Sequence, residues 1–328
     1  MNIDFVIPWV NGNDPEWIKL RNSYSEKCEE ARYREWDVFK YWFRAVEAYA
    51  PWVNKIHLIT CGQVPEWLNT ENPKLNLVFH ENYMPARHLP TFSSHPIELN
   101  IHRIEGLSET FVYFNDDMYL SAPCKEEDFF KNGLPCDSAV LDQLMPSIVG
   151  HQFIHILCND ASVINAHFNK KEVIKKNLWG WFNCKYGKLA LYNMYFSLGG
   201  RLFSNFRNFH LPQSFRKCDF EELWALEPQL LEETSSHRFR ECTDVNQYAV
   251  RMLNLCKGDF YPRNPRKIGK YFEIFKNDDE IADYMRNQKG KMICINDIDS
   301  EEMDFEKEYR FIHDLFEEIF PNKSSFER

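Results

Sequence analysis

Three adjacent polar residues, Asn115, Asp116 and Asp117, follow the apolar run Phe111-Val112-Tyr113-Phe114. Neighbouring carboxylates repel, so a site that keeps both ionised needs a cation to neutralise them. Their oxygens are hard ligands that suit Mg²⁺ or Mn²⁺, and such an ion would bridge to diphosphate oxygens. An exposed turn capped by Asn and Asp would use the same residues.

His210 lies in Asn208-Phe209-His210-Leu211-Pro212. Its chemistry suits acid/base work near neutrality, and a satisfied core histidine would also fit these apolar neighbours. Arg201, Arg207, Arg216 and Lys217 surround it, as a ligand-binding stretch or as a solvated positive face. His237-Arg238-Phe239-Arg240 runs toward Thr243-Asp244 at a helix start, where arginine forks can hold an anion. If that segment is extended, Arg238 and Arg240 point the same way; the alternative is ion pairing with Glu232, Glu233 or Asp244. Glu98, His102 and Arg103 fall near one helical face after the candidate caps Ser93 and Ser94, as a ligand site or as a salt-bridge network.

These groups need a scaffold. Ile3–Pro8 reads as a buried strand, with the turn-rich loop Trp9-Val10-Asn11-Gly12-Asn13-Asp14-Pro15 after it. Further strands are expected at 55–60, 75–80 and 110–114, and helices over 36–49 and 96–104. Alternation of this kind predicts an α/β core with a largely parallel sheet, and ligands bind beyond the carboxyl ends of such strands. Both polar clusters, 11–14 and 115–117, fall there. Beyond the core, helices are expected at 169–180, 186–199, 220–231 and 243–255, the last capped by Thr243. An amphipathic helix is expected over 301–319, with Phe305, Tyr309, Ile312, Phe316 and Ile319 on one stripe. The expected division is residues 1–130 as the α/β core and 131–328 as a mainly helical portion, the alternative being one continuous unit.

Composition narrows the class. Hydrophobic residues make 44% of the 328, and aromatics 16%, enough for a sizeable core. Lys plus Arg number 39 against 49 Asp plus Glu, a formal charge of −10, which argues against a basic nucleic-acid surface. The ten cysteines form no CxxC pair and read as free, buried thiols of a reducing cytosol. No apolar window is long enough for a transmembrane helix, and the first residues do not read as a signal peptide. GxGxxG, Walker, GxSxG and HExxH motifs are missing.

Taken together, the sequence resembles the Stealth family of sugar-1-phosphate transferases, which includes bacterial capsule phosphotransferases. The first region spans Ile3-Asp4-Phe5-Val6 to Pro15-Glu16-Trp17. The second runs from Arg32-Tyr33-Arg34 through Gly62-Gln63-Val64-Pro65-Glu66-Trp67-Leu68, His88-Leu89-Pro90-Thr91-Phe92 and His102-Arg103-Ile104-Glu105-Gly106 to Asn115-Asp116-Asp117. The third leads to His210-Leu211-Pro212, and the fourth covers His237-Arg238-Phe239-Arg240 with Asp244-Val245-Asn246. Glu35-Trp36-Asp37 departs from the family pattern.

The resemblance implies a Rossmann-like, nucleotide-sugar-transferase-like fold and a UDP-N-acetylhexosamine donor. A hexose- or N-acetylhexosamine-1-phosphate would pass to an acceptor hydroxyl on a glycan or polysaccharide, with release of UMP. It assigns catalytic roles to His210, Asp117 and Arg240, and Mg²⁺ or Mn²⁺ to Asp116 and Asp117. Trp9, Asn11, Gly12, Arg103, Asn115 and Arg238 would contact substrate. An Asp of the acidic cluster rivals His210 as base. The expected location is the cytoplasm, free or peripheral at the inner membrane face. A metal-dependent glycosyltransferase releasing UDP, and a non-catalytic nucleotide-sugar binder, are the competing readings.

Overall fold

The computed structural model describes residues 1–25, 33–145, 152–298 and 300–328. Arg32 and Cys28 lie outside these. Strands β1 (Ile3–Pro8), β2 (Ile56–Thr60), β3 (Leu75–Phe79) and β4 (Thr110–Tyr113) are parallel neighbours in one sheet. All four arise from the apolar runs expected to be strands. β5 (Met118–Leu120) follows directly. β6 (Gln213–Arg216) joins from the second half of the chain, antiparallel to β4, and completes the order β6-β4-β1-β2-β3. A second sheet pairs β7 (Gly269–Glu273) in parallel with β8 (Met292–Asn296), and β8 runs antiparallel to β5. The chain is therefore an α/β protein with a largely parallel principal sheet.

The two faces of β1 seed two cores, because successive strand side chains point oppositely. Ile3, Phe5 and Ile7 pack on one face with Trp42 and Phe43 of helix α2; α1 spans Pro15–Asn22 and α2 Phe39–Tyr49. Val6 joins Phe111 and Phe215 on the other. Trp42 is fully buried, and truncation to Ala should cost about 3–5 kcal/mol. Asp4, also fully buried, accepts from Asn54, Lys55 N–H and Ser108 N–H and pairs with His57 Nε2 at 3.0 Å. It ties strand edges and is remote from chemistry.

Several expected helices are divided. The 96–104 segment is α3 (Ser94–Leu99), followed by a separate 3₁₀ turn at Ile101–Arg103. Glu98 therefore shares no continuous helical face with His102 and Arg103. α4 spans Gln152–His167, which the sequence pattern did not reveal. α5 (Lys170–Lys176), α6 (Leu178–Trp181) and α7 (Ala190–Ser197) follow. Pro228 separates α8 (Lys217–Leu226) from α9 (Pro228–Ser236), since proline starts a helix but cannot continue one. α10 (Gln247–Lys257) is capped by Asn246, which accepts from Tyr248 N–H, rather than by Thr243. α11 (Asp278–Arg286) precedes the amphipathic α12 (Phe305–Ile319), whose Ile312 and Phe316 enter the first core. Among the described residues, no helix is long and apolar enough to cross a membrane. Among the described residues nine cysteines are free, yet Cys61, Cys158, Cys184, Cys218 and Cys242 are exposed, so uniform burial does not hold.

Candidate active site

A cleft of about 1520 Å³ opens at the carboxyl ends of β1 and β4. Asn115, Asp116 and Asp117 form its floor where β4 ends. Phe114 N–H still bonds Val6 O at 2.9 Å, then Met118 N–H closes a turn on Asn115 O at 3.1 Å. Ile295 N–H donates to Asp117 O at 2.9 Å, fixing the turn against β8. In the same register Cys294 faces Met118, and its buried thiol donates to Asp117 Oδ2 at 3.2 Å. Burial, followed by the Asp117 charge, pushes that thiol well above its ordinary range and keeps it protonated.

His210 reaches the floor through strand pairing. Gln213 of β6 is opposite Tyr113 of β4, so the residues preceding β6 return beside those following β4. His210 turns there with φ +49°, a left-handed conformation unusual for a non-glycine, pinned by its N–H donating to Asn208 Oδ1 at 2.8 Å. Its Nε2 stands 3.4 Å from Asp117 Oδ2, and Nδ1 lies 3.2 Å from the Tyr248 hydroxyl at the start of α10. Enclosure alone would favour the neutral imidazole, but the Asp117 carboxylate outweighs it and raises the pKa above 6.5. Burial lifts the Tyr248 phenol far above its normal range, so it remains a neutral donor or acceptor.

Asp117, His210 and Cys294 place one ligand atom each within 4.8 Å of the others. Asp116 lies outside this trio and is open to the cleft. Its partial desolvation within the cleft, then the charges of Asp117 and Glu35, push its carboxyl up to about 7. Asp117 Oδ1 is buried and has no hydrogen-bond partner among the described residues. A buried carboxylate oxygen without a donor costs free energy that a cation would recover. Carboxylate and amide oxygens suit a hard divalent ion, whereas a protonated thiol does not. The residues therefore fit Mg²⁺ or Mn²⁺ through Asp117 and Asp116, with Cys294 as an outer donor.

Arg240 also lines the cleft. Asp244, fully buried, accepts from His95 Nδ1 at 2.7 Å, from His237 Nδ1 at 2.6 Å and from Glu241 N–H at 3.1 Å. This knot ties the 237–241 segment to α3 and directs Arg240 into the cleft, where it donates to Ser94 Oγ at 3.0 Å. Trp9 closes the far end, stacked on Phe39 at 5.5 Å with planes 5° apart. Beside it Glu35, held by the Trp9 indole, has its carboxyl raised by burial first and then by the charge of Asp37.

The structure thus brings Trp9, Asn115, Asp116, Asp117, His210 and Arg240 to one cleft. It does not bring Asn11, Gly12, Arg103 or Arg238 there. Asn11 exchanges hydrogen bonds with Gln63, and Gly12 passes directly beneath Tyr33. Arg103 stacks on Trp224 at 4.4 Å, because the helix has ended before it. Arg238 lies over Tyr24 at 4.8 Å, because bends at 238 and 239 replace the extended segment that would align it with Arg240. Arg216 is likewise spent on Asp219 and Asp259. Glu98, weighed as part of a ligand site, and Glu35, in the segment that departs from the family pattern, both line the cleft. His95, Tyr248 and Cys294 line or touch it without having been singled out as site residues.

Three family models match the sequence: Stealth protein CR1, conserved region 1, over residues 1–27; Stealth protein CR2, conserved region 2, over residues 32–137; and Stealth protein CR4, conserved region 4, over residues 283–328, so the fourth region is not the 237–246 segment expected from the sequence. The chain is 40% identical to the capsular polysaccharide phosphotransferase WcwK of Streptococcus pneumoniae, across 100% of this chain and 99% of that one. It is also 40% identical to the exopolysaccharide phosphotransferase cps2G of Lactiplantibacillus plantarum, across 100% and 96%. Among solved structures, the bifunctional glycosyltransferase WbbM aligns with a TM-score of 0.40 at 13% identity, over 96% of this chain and 49% of that one. The galactosyltransferase LgtC aligns with a TM-score of 0.39 at 10% identity, over 96% and 95%.

Proposed function

The chain belongs to the Stealth family and is a phosphotransferase, and from that premise we propose that its cleft moves a hexose- or N-acetylhexosamine-1-phosphate from a UDP-sugar to a glycan hydroxyl. The acceptor oxygen attacks the sugar-bearing β-phosphorus in line, the bridging P–O bond breaks, and UMP leaves with the electron pair. The product is a sugar phosphodiester. Such transfer depends mainly on positioning and charge stabilisation.

One observation carries the reading. Asp117, with one oxygen unpartnered, stands across from His210 in the cleft that Arg240 also lines. His210 takes the acceptor proton, its ring held between the Tyr248 hydroxyl at Nδ1 and the Asp117 carboxylate at Nε2. Arg240 meets the growing negative charge on the phosphoryl oxygens with its fork. Trp9 offers a ring face to the nucleotide base, and Asn115 a polar side chain beside the diphosphate. Asp116 and Asp117 would hold a divalent cation, which when bound neutralises the pyrophosphate. Asp116, with a pKa of about 7, is the second candidate for the base.

The test is incubation with a panel of UDP-sugars, Mg²⁺ and short glycan acceptors, followed by phosphorus NMR and nucleotide chromatography. UMP with a phosphodiester resonance is the expected result. UDP would make the protein a glycosyltransferase, and donor binding without product would make it a binding module.

A further inference from the structure

Helix α7 packs Ala190 and Phe196 on the second core yet carries a bare apolar stripe on its other side. Its inward residue is the fully buried Asn193, whose amide donates to Ala139 O and Trp181 O and accepts from Leu141 N–H. Its outward stripe is Leu191, Met194 and Tyr195, continued by Leu198 just past the helix, a spacing that keeps all four on one side. Each exposes more than half of its surface, and Leu198 exposes 83%. Leu178 and Trp179 of α6 are similarly bare, and α6 and α7 both pack on α5. An apolar run of this kind marks an interaction surface.

The same stretch reverses the charge of the chain. Residues 170–207 hold eight Lys and Arg against the single Glu172, in a protein of formal charge −10. Lys171, Lys175 and Lys176 of α5 are exposed, as are Lys188 and Arg201. Lys170 N–H donates to Arg201 O, so the start of α5, the helix that carries these lysines, sits beside the end of the apolar stripe. Leucine and aromatic side chains flanked by lysines suit a lipid headgroup layer: the apolar groups insert and the ammonium groups meet lipid phosphates. A second copy of this chain suits the surface poorly, because a two-fold contact would press these cations against their equivalents.

We propose that α7 and its basic flanks dock the protein on an anionic lipid bilayer. The docking face adjoins the cleft: Arg207, which lines the cleft, lies 5.2 Å from the Tyr192 ring of α7, and Leu189, just before α7, lines it too. The cleft then opens next to the headgroups, within reach of an acceptor glycan carried on a lipid. That last consequence rests on the proposed sugar-phosphate transfer, whereas the docking itself does not.

The experiment is flotation of the full chain with phosphatidylcholine vesicles, with and without phosphatidylglycerol, at low and high salt. Binding should require phosphatidylglycerol and weaken with salt. The double variants Tyr195→Ser/Leu198→Ser and Lys175→Glu/Lys176→Glu should each lower it by on the order of tenfold or more. Far-UV circular dichroism and UMP release with a soluble acceptor should not change. Flotation is read without turnover, so an inactive protein that still floats keeps the docking face and removes only the transfer reading. Absence of flotation with phosphatidylglycerol would overturn the proposal, as would variants that float like the parent. So would concentration-dependent dimers that Tyr195→Ser/Leu198→Ser dissociates, in a protein that ignores vesicles.

Discussion

His210 Nε2 stands 3.4 Å from Asp117 Oδ2, although the two residues come from opposite halves of the chain. The contact follows from the antiparallel register of β6 on β4, in which Gln213 faces Tyr113. It couples the proposed base to a carboxylate that also has an unpartnered oxygen.

That coupling gives a metal test that does not read turnover. Without a divalent ion, the His210 imidazole should titrate above 6.5, because Asp117 stabilises its charged form. Saturating Mg²⁺ should neutralise Asp117 and move the titration down, as followed by imidazole ¹⁵N NMR. In Asp117→Asn the drop should vanish, and UMP release should fall about 10²–10³-fold. A titration indifferent to Mg²⁺ in the parent would remove Asp117 from the metal site.

Arg240→Lys preserves the charge and loses the planar fork. Turnover should fall on the order of 10- to 100-fold with donor affinity changed far less, since the fork is most needed as charge develops in the transition state. Steady-state kinetics with a saturating donor would separate kcat from KM. Unchanged kcat would confine Arg240 to holding Ser94.

Gly12→Ala tests a position that supports the cleft from outside. A Cβ there would meet Tyr33 O at 1.8 Å, so the 33–36 segment, which carries Glu35 and Trp36 to the cleft wall, must move. Stability should fall by about 1–3 kcal/mol, as for other overpacked sites. Calorimetry with a UDP-sugar should show weaker binding, and urea unfolding the lost stability.

Arg44→Met should destabilise the fold by about 3–5 kcal/mol, because it strips a buried ion pair of one partner. Arg44 of α2 donates to Glu327 at 2.8 Å and to Phe320 O at 2.7 Å, clamping the end of the chain. Burial works against the Glu327 carboxylate, but Arg44 and then Ser324 hold its pKa below 4.5. The pair's contribution is therefore complete above pH 4.5 and disappears as pH falls through the lower folded-state value. Urea midpoints should decline in that acid window for the parent and decline less for Arg44→Met.

Much of the α/β core was legible because its signals are local. β1 to β4 are apolar runs closed by Pro8, Gly62 or polar turns, and the α12 stripe repeats at helical spacing. Asp116, Asp117, His210 and Arg240 were candidates by residue type and by resemblance to a family, and the fold brings all four to one cleft. Less visible were β6, reading Gln-Ser-Phe-Arg, and the β7–β8 pair, whose short mixed sequences become strands only beside a sheet that already exists. Cap choice at Asn246 and the bends at 238 and 239 depended in the same way on neighbours far along the chain.

Composition and periodicity, which act over a few residues, sufficed for β1 to β4, for α12 and for a set of candidate side chains. Which of those candidates meet was set by the folded chain. Strand register placed His210 against Asp117, and the buried Asp244 knot aimed Arg240 inward while Arg238 turned to Tyr24. Arg103 was drawn to Trp224, and Asn11 to Gln63. Such choices are settled by packing and hydrogen-bond partners distant in sequence, whose contacts no local pattern records.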